Sequence, residues 1–171
     1  MIRARFVTSA LVSLLALGSF ACGGSSTGGQ GSETPNRVKG VDAGGVRPDR
    51  TPIAKLDASK AKEDSYKIED ADVPVLRFED VSLTLSASCK KPDGTLACES
   101  YAFIRDGEPV KIQHSKLDGR VSAGTMVCTK IGKTNVTGTN AAGEQDGLCR
   151  FGDGSLVDVG SLERYSLQVV E

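Results

Sequence analysis

The sequence predicts a mainly β fold, a small antiparallel β-sandwich or barrel with two disulfides, preceded by a disordered tether. Three observations carry this. Residues 81–89 alternate strictly, with Val81, Leu83, Leu85, Ala87 and Cys89 apolar and Ser82, Thr84, Ser86 and Ser88 hydroxylic. That is the period of a strand with one face buried and one solvated. Turn signals recur at Lys91-Pro92-Asp93-Gly94, Asp106-Gly107, Asp118-Gly119, Gly143, Asp146-Gly147 and Asp153-Gly154, which implies short strands and tight connections. Residues 72–171 also hold four of the five cysteines but no Trp, and a lean core of this kind is where disulfides add stability.

The strand over 81–89 places Cys89 on the core side. A bend at 92–95 then leads into a strand expected over 96–105. If 92–95 form a four-residue loop, Lys91 faces Leu96 and Cys89 lies opposite Cys98, where facing residues approach closely enough to bridge. Four cysteines allow three connectivities. The hairpin favours Cys89–Cys98, which leaves Cys128–Cys149 by elimination. Further strands are expected over 109–115, 121–130, 148–151, 155–159 and 164–170, and no helical stripe is read beyond residue 72.

The N-terminus reads differently. Arg3 and Arg5 precede an apolar run from Phe6 to Leu17, and Gly18, Ser19 and Ala21 follow. Residues 1–21 therefore have the layout of an export signal, with an apolar run too short to span a bilayer as a helix. Ser19-Phe20-Ala21 suits ordinary signal peptidase, whereas Ala21-Cys22-Gly23-Gly24 resembles a bacterial lipobox with Ser19 at the position where Leu is usual. Cysteine parity separates the two routes. Lipidation of Cys22 leaves an even set for an oxidising compartment, whereas an unmodified Cys22 is an exposed thiol. The lipobox resemblance implies a diacylglyceryl group and an N-linked acyl chain such as palmitate on Cys22, more than the two anchoring signals that stable attachment needs. Gly23, in place of the Asp typical of inner-membrane retention, implies the outer membrane, with the domain facing the periplasm or the cell surface.

Residues 22–71 are expected to form the lipidated Cys and a flexible linker, with the disulfide-stapled β-domain over 72–171. Gly, Ser, Thr, Gln and Asn dominate 23–45, too little apolar surface to offset ordering entropy. A coil of that length spans roughly 25–30 Å. Residues 46–71 alternate charges, with a marginal helix expected around 57–65.

Cys128-Thr129-Lys130-Ile131-Gly132, Ala142-Gly143 and the run from Asp146 to Ser155 carry a resemblance. Over about 128–162 the chain is similar to the short cysteine-rich bacterial envelope proteins of unknown function often labelled "putative hemolysin". It departs at Val157, where that family has Cys, and at Gly160, where it has Trp; Leu162 matches. The resemblance implies a small envelope β-module with Cys128–Cys149 as the natural pair, and its label carries no mechanism.

Candidate chemistry is sparse. His114 is the single histidine, expected on the face of Val110 and Ile112 with no nucleophile motif beside it. The cysteines have disulfide spacing without Cys-x-x-Cys, so no metal or other cofactor is expected. The acidic turns at Asp93, Asp106-Gly107-Glu108 and Asp153 lack the spacing of a calcium loop. A net charge of −1 argues against nucleic acid as a partner. The expectation is a lipid-anchored module that touches the membrane through Cys22 and binds an envelope protein or polysaccharide. An inhibitor of an envelope hydrolase is the alternative, and no catalytic constellation supports an enzyme.

Overall fold

The computed structural model describes residues 45–171. The expected export signal, Cys22 and the expected tether up to residue 44 lie outside the described residues. Six strands close into an antiparallel barrel in the order β1 (Lys62–Ile68), β2 (Ala71–Phe78), β3 (Leu83–Ser86), β7 (Leu156–Asp158), β6 (Gln145–Arg150) and β5 (Thr134–Asn140). Pairing of Tyr66 with Asn140 and Lys67 with Thr139 joins β1 to β5 and completes the ring. Beside it lie a two-stranded parallel sheet of β4 (Val110–Gln113) and β8 (Leu167–Val170), and three helices, α1 (Glu99–Asp106), α2 (Ala123–Lys130) and α3 (Val159–Ser166).

The register sorts side chains into two cores. Val75 faces Asp64 on β1 and Ser86 on β3, Leu148 faces Val136 and Asp158, and Arg150 faces Leu156. Period-2 alternation carries this face around the ring, so that Tyr66, Ile68, Val75, Leu148 and Leu156 form one small cluster in the barrel. Their chain neighbours Leu76, Cys149 and Val157 belong to the larger cluster that also takes in Tyr101, Ile104, Val127 and Leu162 from the helices. The sheet therefore buries both faces, one in the lumen and one under the helical layer.

Both disulfides are present, Cys89–Cys98 with Cα atoms 4.9 Å apart and Cys128–Cys149 at 5.8 Å. The second joins α2 to β6, across 21 residues, a loop whose closure stabilises by roughly 3 kcal/mol. The first does not arise from a strand pair facing through both cysteines. Lys90 bridges Leu96, and the Ala97 N–H donates to the Cys89 carbonyl, one position from the expected register.

Three expected strands contain helix. Residues 96–105 enter α1 because its first amides find acceptors on another segment. Glu99 N donates to Asp153 Oδ2 at 2.8 Å and Ser100 N to Ser155 Oγ at 3.0 Å, which satisfies groups a helix start leaves open. Residues 121–130 enter α2, capped by Ser122, whose hydroxyl accepts from Thr125 N. Residues 164–170 divide between the end of α3 and β8. The expected strands over 81–89, 109–115, 148–151 and 155–159 each contain an observed strand, shortened in β3 by 3-10 turns at Glu79–Val81 and Ala87–Cys89.

The domain boundary also moves. Residues 45–71 are part of the folded unit rather than linker. Ile53 is fully buried and its carbonyl accepts from Tyr101 Oη at 2.8 Å. Arg50 donates to the carbonyls of Tyr165 and Gly107, at the C-terminal ends of α3 and α1, where a cation is favoured. In place of the expected helix around 57–65, a 3-10 turn at Ala58–Lys60 leads into β1. Sparse apolar residues here are buried one at a time, which no amphipathic period reveals.

Gly124 fixes the packing of α2 on α3. A Cβ there would lie 1.7 Å from the Val159 carbonyl oxygen. Gly→Ala inside a helix ordinarily stabilises by up to about 1 kcal/mol; here backbone must move, and we expect Gly124→Ala to cost about 2–3 kcal/mol instead. Urea unfolding reads the sign, and a stabilised Gly124→Ala protein would refute this packing.

Candidate functional site

One end of the barrel lumen is polar. Asp64 and Tyr66 on β1, Arg77 on β2, Thr84 on β3, Asp146 on β6 and Asp158 at the end of β7 converge there because the register gives them the lumen face. Arg77 donates to Tyr66 Oη at 2.5 Å and Tyr66 Oη donates to Asp146. The guanidinium also lies 3.5 Å from Asp64 and 3.5 Å from Asp146, and 5.5 Å from the Tyr66 ring centroid. Asp158 caps α3, accepting from Ser161 N at 2.8 Å, and its other oxygen accepts from Thr84 N at 2.8 Å. Tyr66, Arg77, Thr84, Asp146 and Asp158 line a hollow of about 310 Å³ with Ser82, Gly147, Val159 and Gly160.

The network is closed except at Arg77 Nε, which is buried without a hydrogen-bond partner, 3.5 Å from Asp64. Burial, with the hydrogen bond to Asp146, pushes the Tyr66 phenol up to about 12. Burial also raises Asp158, against the hydrogen bonds from Ser161 and Thr84 that favour its charged form. Arg77 is held above its usual value by its hydrogen bond to Tyr66. Each carboxylate is engaged by a donor of the chain itself. The cluster ties β1, β2 and β6 together, and α3 to β3. Its chemistry is that of a polar plug.

A second concavity differs in kind. Between β4 and α2 lies a groove of about 560 Å³ lined by Ile112, Val121, Met126 and Val170 with Lys111, Lys116 and Lys130 on its rim. Lys130 Nζ donates to the Lys111 carbonyl, which fixes the ammonium at the β4 backbone. Gln113 and Thr129 complete the lining and no acidic side chain takes part in it.

His114, expected on the apolar face of β4, instead begins the 3-10 turn His114–Lys116 and is exposed. The acidic turns close their own bends: Asp93 accepts from Thr95 N and Oγ1, Asp153 accepts from Ser155 N, and Asp106 pairs with Arg105. Among the described residues no group of three or more His, Cys, Asp or Glu side chains is placed to hold a metal ion. Nor is any described helix long and apolar enough to cross a membrane. The loop beside Cys89–Cys98 presents Lys90, Lys91, Pro92 and Asp93, without an aromatic or Arg anchor.

The polar lumen end was not anticipated from sequence, although Asp64-x-Tyr66-x-Ile68 and Val73-x-Val75-x-Arg77 carry the alternation that would have shown it. The groove brings together residues 59 positions apart, Lys111 and Val170, and no local pattern announces it. Comparison with known proteins finds no matching family model, no matching curated protein and no matching solved structure.

The Tyr66 shift gives a pH test. A phenol raised in the folded state contributes stability that is present below its unfolded value near 10 and lost as pH rises through about 12. We expect Tyr66→Phe to cost about 1 kcal/mol at neutral pH by removing its hydrogen bonds. The variant should also fall less steeply in stability between pH 10 and 12. Denaturant midpoints across that range measure both effects, and an unchanged alkaline slope would contradict the network.

Proposed function

We propose that this chain is a lipid-anchored bacterial cell-envelope lipoprotein of the outer membrane whose barrel domain is a binding module. The groove between β4 and α2 is the observation that carries the binding reading. It is concave, mainly apolar and within the size range of ligand pockets, whereas the carboxylates at the barrel's polar end already accept from donors of the chain itself. The anchor rests on the lipobox-like Ala21-Cys22-Gly23-Gly24 and on parity. With Cys89, Cys98, Cys128 and Cys149 paired, Cys22 is the one cysteine left over. Paired disulfides are consistent with an oxidising envelope compartment.

No observation favours the hydrolase-inhibitor alternative, since the disulfide-flanked loop lacks the anchors such a loop uses. Fractionation tests the anchor. Cys22→Ser should shift the protein from the membrane to the soluble fraction, and metabolic labelling with a fatty acid should mark the wild type alone. A Cys22→Ser protein that stays in the membrane fraction would overturn the reading.

A further inference from the structure

We infer that the groove between β4 and α2 takes an anionic phospholipid of the membrane to which the chain is tethered, so that the domain docks on the bilayer; this rests on the lipoprotein reading above. Three independent observations lead there. The first is charge complementarity. Lys111, Lys116 and Lys130 surround an apolar floor of Ile112, Met126 and Val170 with no acidic residue among the lining. That arrangement fits a ligand with an acyl chain and an anionic head. Each lysine near an anionic surface is worth roughly a fivefold gain in binding.

The second is where apolar surface is left uncovered. The large hydrophobic side chains exposed among the described residues are Val121, 49 % exposed, and Val46, 76 % exposed. Val121 lines the groove and also a second hollow, where it meets Leu117, Leu167 and Val169 with Ser122 and Glu163. Val46 follows Gly45, whose carbonyl accepts from Gln168 Nε2 at 3.2 Å. Both therefore flank the β4–β8 sheet.

The third is where the chain enters. Gly45 lies against β8, so closely that a Cβ on it would meet the Val169 carbonyl at 1.9 Å. The next residue but one of that strand's path past Gln168, Val170, lines the groove. Everything upstream, Cys22 included, is thus joined to the domain beside the groove. A short tether rooted there raises the effective concentration of bilayer lipid at this face over the others. A polar partner such as a polysaccharide would leave the apolar floor unused, and a membrane lipid uses both floor and rim.

Both cores and both disulfides lie within residues 45–171, so a segment Val38–Glu171 can be prepared without signal or anchor. It should cosediment with phosphatidylcholine vesicles containing phosphatidylglycerol at least tenfold more tightly than with phosphatidylcholine alone, and less tightly as salt rises. Lys111→Glu with Lys116→Glu should remove that preference. Val121→Asp should weaken binding severalfold, and Tyr66→Phe should leave it unchanged. Circular dichroism and intact mass before and after reduction confirm that each variant is folded with both disulfides. No binding to the anionic vesicles, equal binding to both vesicle types, or binding indifferent to the lysine substitutions would overturn the proposal. So would capture of an acidic peptide in the groove in place of lipid. The assay uses unacylated protein, so its failure is distinct from failure of the anchor, which fractionation of Cys22→Ser reads separately.

Discussion

Ile68 pairs with Ala71 across a two-residue turn, and from that pairing β1 and β2 run in register over seven positions. Glu69 and Asp70 both take positive φ, 50° and 67°, the twist that suits a tight hairpin. Because side chains alternate, this register decides which residues fill the lumen and which meet the helices. A slip of one residue would exchange the two sets, sending Leu76 and Phe78 inward and Arg77 out under the helical layer. The other strands inherit the same division, so the polar network and the position of Cys149 both depend on it.

The helices complete what the barrel cannot bury alone. Leu83, Leu85, Cys149 and Val157 point away from the lumen into a cluster with Tyr101, Ile104, Val127 and Leu162. Cys128–Cys149 joins that layer to the barrel by a covalent bond, and Gly124 sets how closely α2 and α3 approach. β4 and β8, a parallel pair, add Val110, Ile112 and Leu167 to the same cluster, with Gly45 against β8 and the groove between β4 and α2. The groove exists because β4 pairs on one side only, with β8, and because Lys130 reaches across to the Lys111 carbonyl in place of another strand. A lysine at an open edge also discourages unwanted strand pairing.

Much of the β framework was legible. Strict alternation in 81–89 marks β3, and the turn at Asp153-Gly154 joins β6 to β7, whereas Asp146-Gly147, expected as a turn, lies inside β6 and pairs with β5. Both disulfides follow from counting and spacing, although Cys89–Cys98 rests on a different hairpin register and on a cysteine that opens α1. The helices were hidden because each has eight residues, and α1 starts only where a distant segment meets its first amides. Tyr101 and Ile104 suffice to bury α1 once Asp153 and Ser155 meet its first amides. Arg50 and Ile53 looked like linker because a single buried apolar side chain and one latching guanidinium leave no periodic trace. The groove was illegible for the same reason, since its lysines and its floor come from β4, α2, β8 and the loop between β4 and α2.

Ligand binding by the domain depends on which concavity is open, the lysine-lined groove or the polar end of the barrel. Amide chemical shifts of the isotopically labelled unit Val38–Glu171, followed during titration with phosphatidylglycerol-containing bicelles, address this directly. Shift changes should centre on Lys111, Ile112, Lys116, Val121, Met126, Lys130 and Val170, with Tyr66, Arg77, Asp146 and Asp158 unmoved. Changes centred on the barrel end, or none at all, would contradict lipid binding in the groove.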